Sequence, residues 1–456
     1  MLAVVSVFDR DDLRAPDLCV KRRGSLHQNV MPMRDEVRCG ATRIAPGTVA
    51  RNATRHGSGS TELAVVRSPP DQPGFPMNLA ATLALAFCLA AALVHFATIA
   101  LVTLRARRLR AAEATPHGRP PITILRPVRG LEHAIERTLG SGFTLDYPDY
   151  ELVFCVASAT DPVVPLIRRL MATHPDVPAR LLVGDDRISI NPKLNNLAKG
   201  WTAAEHRWIV MADSNVLMPP DYLDRMLERW DGTTGLVCSP PLGSEPDNLG
   251  AELECAYLNT YQARWQLAAD AVGQGFAQGK SMLWRRENLD RHGGIAALAA
   301  DPAEDAAATK AIRANGQRVR LVRQPFAQPL GARDIGTIWH RQLRWARLRR
   351  VTFPALFCLE LALGGLLPIA LTLGLGFAGE LPLWVAPALA VAWYGAEALM
   401  AKSQSWHCAR WSPIAWVLRD LTMPALWIAA VCGSGFEWRG NQMNVKTDSL
   451  LAAESD

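Results

Sequence analysis

The chain is 456 residues long, with 49 Lys and Arg against 43 Asp and Glu and a formal net charge of +6. That balance is too weak to argue for a nucleic-acid partner, and none is expected. Its nine cysteines (Cys155, Cys238 and Cys408 among them) form no CxxC pair and no Cys/His cluster. This speaks against a zinc site and for reduced, buried thiols.

Residues 1–76 are rich in Arg, Asp, Gly and Pro, show no sustained period and contain no apolar signal core. They are expected to be a disordered leader that is not native, with Met77 as the initiator. Met77 opens MNLAATLALAFCLAAALVHFATIALVTL, long enough for one transmembrane helix over 77–104. The basic run that follows, with Arg105, Arg107, Arg108 and Arg110, places that end in the cytoplasm. From 120 to 350, short apolar runs (PITILRP, YELVFCVAS, ARLLVGD, RWIVMADS) alternate with helical patterns such as DPVVPLIRRLMATH. The alternation predicts an α/β domain with a largely parallel sheet, whose ligands would sit at the carboxyl ends of the strands. Residues 353–436 read as a C-terminal transmembrane region with spans near 353–377, 382–401 and 416–436. The third contains Arg419 and Asp420, so it reads either as a span or as an interfacial helix. Residues 437–456 form a polar tail.

Several charged residues fall where such a sheet would use them. Asp161 follows a strand in SATDPVVP, where it could equally cap a helix. Asp213 ends the strand of MADSNVLMPPDYL and, with Ser214 and Asn215, offers oxygen donors to a hard cation. Asp305, beside Glu304 in DPAEDAAATKAI, opens a helix and could serve as a general base, or merely complement the helix dipole. Lys193 in NPKLNNLAKGW could meet a phosphate, or simply be solvated. Gly275 and Gly279 in QGFAQGKSMLWRR suit a close backbone approach or a plain turn. Finally, HRQLRWARLRR puts Arg341, Arg344, Trp345, Arg347, Arg349 and Arg350 directly before an apolar stretch.

Taken in order, ATDP, NPKLNNL, ADSN, GKSMLWRR, AEDAAATKAI and RQLRW, followed by membrane helices, closely resemble the ceramide glucosyltransferase family. The resemblance runs from about Met77 to near the C-terminus. It implies a GT-A fold, a nucleotide-sugar-binding, Rossmann-like catalytic domain flanked by one N-terminal and two to three C-terminal transmembrane helices. It implies Asp213, Asp305 and Arg344 as catalytic, and Asp161, Arg341 and Trp345 as substrate-binding, beside Lys193 from the reading of NPKLNNLAKGW above. Asp213 would be the metal ligand for Mg2+ or Mn2+. In that pattern Asp161 lies on the nucleotide side, Asp305 is the base, and Arg341, Arg344 and Trp345 match [QR]xxRW. The DxD pattern of the broader fold is incomplete, with Asn215 in the second acidic place. The implied reaction is inverting transfer of a hexose, glucose, from a UDP-sugar to the primary hydroxyl of ceramide or a similar membrane lipid. The implied setting is a multi-pass protein of the bacterial inner membrane with its catalytic domain in the cytoplasm. The alternatives are N-acetylglucosamine transfer to a hopanoid lipid, a processive polysaccharide synthase and an inactive membrane scaffold. Arg347, Arg349 and Arg350 are expected only to anchor the chain to anionic headgroups.

Overall fold

The structure, a computed structural model, describes residues 78–111, 118–438 and 441–444. The expectations for the leader, for Met77 and for most of the polar tail lie outside the described residues. Helix α1 (Leu79–Ala111) leads into the α/β domain. There follow β1 (Ile122–Pro127), α2 (Ile135–Gly140), β2 (Tyr150–Val156), α3 (Val164–Thr173), β3 (Ala179–Val183), α4 (Pro192–Ala203), β4 (Trp208–Ala212) and α5 (Tyr222–Leu227). Next come β5 (Thr234–Ser239), β6 (Leu242–Pro246), α6 (Leu249–Cys255), a π-helical segment Ala256–Ala263, α7 (Arg264–Ala271), β7 (Ser281–Arg285) and α8 (Arg286–Asp290). The domain ends with α9 (Glu304–Ala314), β8 (Arg318–Leu321), β9 (Ala327–Gly331) and α10 (Ile335–Thr352). The C-terminal region holds α11 (Pro354–Glu360), α12 (Leu366–Phe377), α13 (Val385–Ser403), α14 (Ser412–Cys432) and the hairpin of β10 (Gly435–Trp438) and β11 (Asn441–Asn444).

Seven strands form one sheet in the order β3-β2-β1-β4-β7-β5-β8. Strands β1 to β4 run parallel, as the apolar runs predict, because a strand buried on both faces needs no polar alternation. Strand β7 is the exception, lying antiparallel between β4 and β5. Successive strand residues feed opposite faces, so Ile124 and Leu152 join one core cluster while Leu125 and Val153 join the other. The chain steps outward from β1 to β3 and then returns to place β4 on the other side of β1. The crevice at the carboxyl ends of β1 and β4 is therefore a topological switch point.

Two described helices are long and apolar enough to cross a membrane, Leu79–Leu109 and Ser412–Cys432. The second is the segment whose Arg419 and Asp420 left its reading open. Both residues point inward rather than at lipid. The Arg419 Nη1 and Nη2 atoms lie 3.0 and 3.1 Å from the Glu397 carboxylate of α13, and Nε lies 2.9 Å from Asp420. Arg264 of α7 reaches Glu397 at 3.5 Å and His95 of α1 at 2.8 Å. The His95 ring stacks on Trp393 with centroids 3.8 Å apart. The set carries two guanidinium and two carboxylate charges, and Glu397 is fully buried.

Three expectations need correction. The segment 353–377 is not one helix. It breaks between α11 and α12, where the Gly365 amide donates to Asp420 Oδ2 at 2.9 Å. A Cβ on Gly365 would stand 2.9 Å from both that oxygen and Trp393 Nε1, so a side chain cannot fit there. Arg105 is more than a flanking charge. It is buried, pairing with Asp270 and donating to the Leu321 and Val322 carbonyls, and so bolts α1 to the α/β domain. The arginines after Trp345 also have protein partners. Arg349 pairs with Glu360. Arg347 and Arg350 donate to the backbone carbonyls at the end of α14 and just beyond. Those carbonyls lack partners within the helix, and cations there also oppose the negative end of its dipole.

Removing one partner of a buried pair leaves the other charge stranded at a cost of roughly 3–5 kcal/mol. Glu397→Ala should therefore lower the melting temperature of the detergent-solubilised protein sharply. Asp224→Ala, which breaks an exposed pair with Arg119, should leave it nearly unchanged. Equal melting of the two variants would show that these buried charges contribute nothing to holding the fold.

Candidate functional site

The switch point collects carboxylates and ammonium groups. Asp213 leaves the end of β4, and its backbone N–H donates to the Lys280 carbonyl at 3.0 Å, extending the β4–β7 pairing by one residue. That register sets the Lys280 side chain beside it, with Nζ 2.9 Å from Asp213 Oδ2 and 3.5 Å from Asn215 Oδ1. Lys193 comes from the first turn of α4, whose start is capped by Asn191, a helix-start signal already present in NPKL. Its Nζ bridges Asp213 Oδ1 at 2.7 Å and Glu304 Oε1 at 2.8 Å and donates to the Gly279 carbonyl at 2.5 Å. The Asn191 amide donates to the other Glu304 oxygen at 2.7 Å, tying the N-termini of α4 and α9 together. Gly279 is a glycine because of this crowding. A Cβ there would lie 2.6 Å from Glu304 Oε1 and 3.0 Å from Lys193 Nζ. Gly275 has a purely structural cause, as its Cβ would strike the Val319 carbonyl at 2.3 Å.

The charges set the protonation states. Burial alone would raise the Asp213 carboxyl, but the Lys193 and Lys280 ammoniums outweigh it and hold it well below the usual carboxylate range. Burial likewise opposes a charged Lys193, yet Asp213 and Glu304 raise its pKa. Asp305 goes the other way. Burial first and the Glu304 charge second push it up to about 7, although Lys193 and the amides of Gly279 and Ala306 favour its carboxylate. A carboxyl that titrates near neutrality is suited to accept a proton.

Beneath this cluster lies Arg126, fully buried in β1. Its Nη2 donates to the Asp213, Ser214 and Val216 carbonyls at 3.1–3.4 Å, fixing the loop that carries Asp213. Burial lowers its pKa to about 10, which still leaves it charged at neutral pH. Asp161 holds a neighbouring strand end. Its two oxygens accept from the Gly130 amide at 3.0 and 3.1 Å, and Oδ1 accepts from Val163 at 2.9 Å. It thus fastens the loop after β1 to the loop after β2 and also performs the turn-capping role.

The RQLRW residues sit on α10. Arg341 pairs with Glu254, a fully buried carboxylate of α6. Trp345 packs against Ala251, Cys255, Leu258 and Leu330. Arg344 lies half-buried one turn along from Arg341. The structure thus gathers Lys193, Asp213 and Asp305 at one site and places Asp161 at the adjacent strand end. Arg341 and Trp345 seat α10 against α6 and β9. Sequence reasoning missed Lys280, Arg126 and Asn191, and gave Glu304 only a helix-dipole role. Lys280 stood in the GKSMLW motif, but its position depends on the antiparallel insertion of β7.

Among the described residues no group of three or more His, Cys, Asp or Glu could hold a metal by itself. Asp213 and Asn215 offer one carboxylate and one amide oxygen. These are the oxygen donors a hard cation takes, and both Asp213 oxygens are paired with lysine ammoniums.

The chain is similar to several known proteins. Ceramide glucosyltransferase 3 of Caenorhabditis elegans is 27% identical over 331 residues, spanning 71% of this chain and 72% of that protein. The ceramide glucosyltransferase of Komagataella phaffii (strain GS115 / ATCC 20864) is 27% identical over 430 residues, spanning 73% and 83%. Among solved structures, the chain is similar to the mannosyltransferase PcManGT from Pyrobaculum calidifontis in complex with GDP-Man and Mn2+. That match has a TM-score of 0.46 and 22% identity, and covers 76% of this chain and 98% of that one. The profile of glycosyl transferase family 21 matches residues 87–451, a stretch that contains the whole switch-point cluster and α10, and the chain belongs to that family of glycosyltransferases.

Proposed function

We propose that this glycosyltransferase moves glucose from UDP-glucose to the primary hydroxyl of ceramide or a closely similar membrane lipid, with inversion, at the cytoplasmic face of a bacterial inner membrane. The observation that carries this reading is the Lys193 bridge between Asp213 and Glu304, beside an Asp305 poised near neutrality. In this GT-A reading of the domain, Asp305 accepts the acceptor's hydroxyl proton. The oxygen bonds to C1 of the sugar as the bond from C1 to the diphosphate oxygen breaks with its electron pair. Lys193, Lys280 and Arg344 stabilise the charge that develops on the leaving diphosphate. Arg341 contributes by holding α10 against Glu254, and a phosphate reaching it must compete with that carboxylate. Asp161 fixes the loop that would border the nucleotide. A divalent cation held by Asp213 and Asn215 would add positive charge against the same diphosphate.

The reading rests on α1 and α14 as membrane spans and on the resemblance to ceramide glucosyltransferases. The purified full chain in detergent, given a panel of UDP-sugars with ceramide and a hopanoid polyol, should yield glucosylceramide by mass spectrometry. A glycosylated hopanoid as the sole product would overturn the assignment of acceptor.

The site also predicts a pH signature. The kcat/KM profile should rise with pH through an apparent pKa of about 7 as Asp305 loses its proton. Glu304→Gln removes the negative neighbour, so this rising limb should move to lower pH. Asp305→Asn should abolish the limb and cut turnover by about 10²–10⁴-fold, while UDP binding stays close to normal. A limb unmoved by either change would remove Asp305 as the base.

Metal dependence gives a separate readout. Calorimetric UDP binding to the wild type should tighten on adding Mn2+, and Asp213→Ala should erase the increment. Binding that is equal with and without the cation would leave the diphosphate to the lysines and arginines alone.

A further inference from the structure

Two lysines serve Asp213, and they are held differently. A lysine ammonium carries three N–H donors. Lys193 Nζ meets three acceptors, Asp213 Oδ1, Glu304 Oε1 and the Gly279 carbonyl, so its donors are all committed. Lys280 Nζ meets two, Asp213 Oδ2 at 2.9 Å and Asn215 Oδ1 at a long 3.5 Å. Among the described residues its third N–H is spare.

The two oxygens under Lys280 are the pair that a hard cation would take. Asp213 brings that pair its one negative charge, because Asn215 stands where a second acid would double it, and Lys280 already neutralises that charge. An ammonium and a divalent cation therefore contest one set of donors. The Lys280 and Asp213 side chains are only 15% and 21% exposed, so salt screens the repulsion between the two cations poorly. The donors themselves are fixed. Arg126 Nη2 pins the Asp213 and Ser214 carbonyls, and the Asp213 amide pairs with the Lys280 carbonyl. What can move is the four-carbon stem of Lys280. A diphosphate gives its ammonium somewhere to go. The spare N–H can take a phosphate oxygen before the bonds to Asp213 and Asn215 are released.

We propose that Lys280 is a built-in competitor of the divalent cation, which the diphosphate of the donor draws off, so that the cation is taken up with or after the nucleotide and not before it. The proposal rests on the reading of Asp213 and Asn215 as cation donors and adds the order in which their ligands arrive. Lys280 thereby makes nucleotide and cation cooperative, each tightening the other's binding by the same factor.

The test measures Mn2+ binding rather than turnover. The full chain in detergent is titrated with Mn2+, with and without UDP, and free Mn2+ is read from its EPR signal after subtracting what UDP binds by itself. In the wild type, UDP should raise Mn2+ affinity about tenfold or more. Lys280→Met keeps an unbranched stem and removes the charge. It should raise the Mn2+ affinity of the nucleotide-free protein about tenfold or more and shrink the effect of UDP to match. Lys280→Arg keeps the charge and should leave the nucleotide-free protein a weak binder. Adding Asp213→Ala to Lys280→Met should abolish the gained binding. Nucleotide-free wild type that binds Mn2+ as tightly as Lys280→Met, or as tightly as its own UDP complex, would overturn the competition and leave the cation reading standing. Gained binding that survives Asp213→Ala would overturn it too. If no form binds Mn2+, with or without UDP, the cation reading falls and the competition falls with it. The wild-type comparison needs no substitution, so it decides the outcome even where a variant fails to fold.

Discussion

The arrangement depends first on a charge-balanced cluster buried among α1, α7, α13 and α14. Arg419, Glu397, Asp420 and Arg264 come from α14, α13 and α7, and His95 joins them from α1. Placing two arginines and two acids out of water is expensive, and the expense is offset only when every charge meets a partner at hydrogen-bond distance. That condition ties helices separated by more than 300 residues into one geometry. Arg419 also donates to Thr260 at 2.6 Å, and Tyr257 bonds Thr422 at 2.6 Å, so the π-helical segment of the α/β domain is gripped by the last membrane helix. A transferase needs its reacting groups held in fixed relation to one another. This grip, together with the Arg105–Asp270 pair, supplies that fixity.

At the other end of the domain, charge is organised for change rather than for permanence. Asp213 and Glu304 share Lys193, and Lys280 completes the neutralisation of Asp213. An incoming diphosphate would attract the same ammoniums that now hold these acids. The Glu304 carboxylate would then be less neutralised, and Asp305, already raised by the Glu304 charge, would be raised further. The buried arginine below differs in kind. Arg126 bonds backbone carbonyls of the Asp213 loop and of Thr138 in α2, besides one contact with the Met218 sulfur, so it can stay in place whatever occupies the crevice.

Much of this was legible in the chain because buried parallel strands read as uninterrupted apolar runs. The acids at their ends then stand where the sheet presents a ligand, as for Asp161 and Asp213. Asp305 could be located but not separated from its neighbour, since a helix N-terminus welcomes any acid. What stayed hidden depends on non-local pairing. Lys280 reaches Asp213 only because β7 inserts antiparallel beside β4, and no local pattern announces that insertion. Arg126 was invisible inside the strand PITILRP, where its partners are backbone carbonyls from another loop. The arginines after Trp345 were misjudged for a related reason. A basic run before an apolar stretch looks the same whether it faces headgroups or, like Arg349, a glutamate eleven residues ahead.

The break in segment 353–377 ties these threads together. Hydropathy alone favours one continuous helix there, and the apolar residues are present for it. A continuous helix, however, would commit the Gly365 amide to its own i−4 carbonyl and would leave Asp420 without one of its donors. In the fold Asp420 takes that amide and the Tyr394 hydroxyl at 3.1 Å, and the chain turns between α11 and α12. Ahead of that turn α11 lies beside α14, with Phe357 stacked on Trp427, and Glu360 pairs with Arg349. The satisfaction of a single buried carboxylate therefore shapes the path of the chain between α11 and α12. The same requirement explains why an apolar stretch of spanning length does not form a spanning helix.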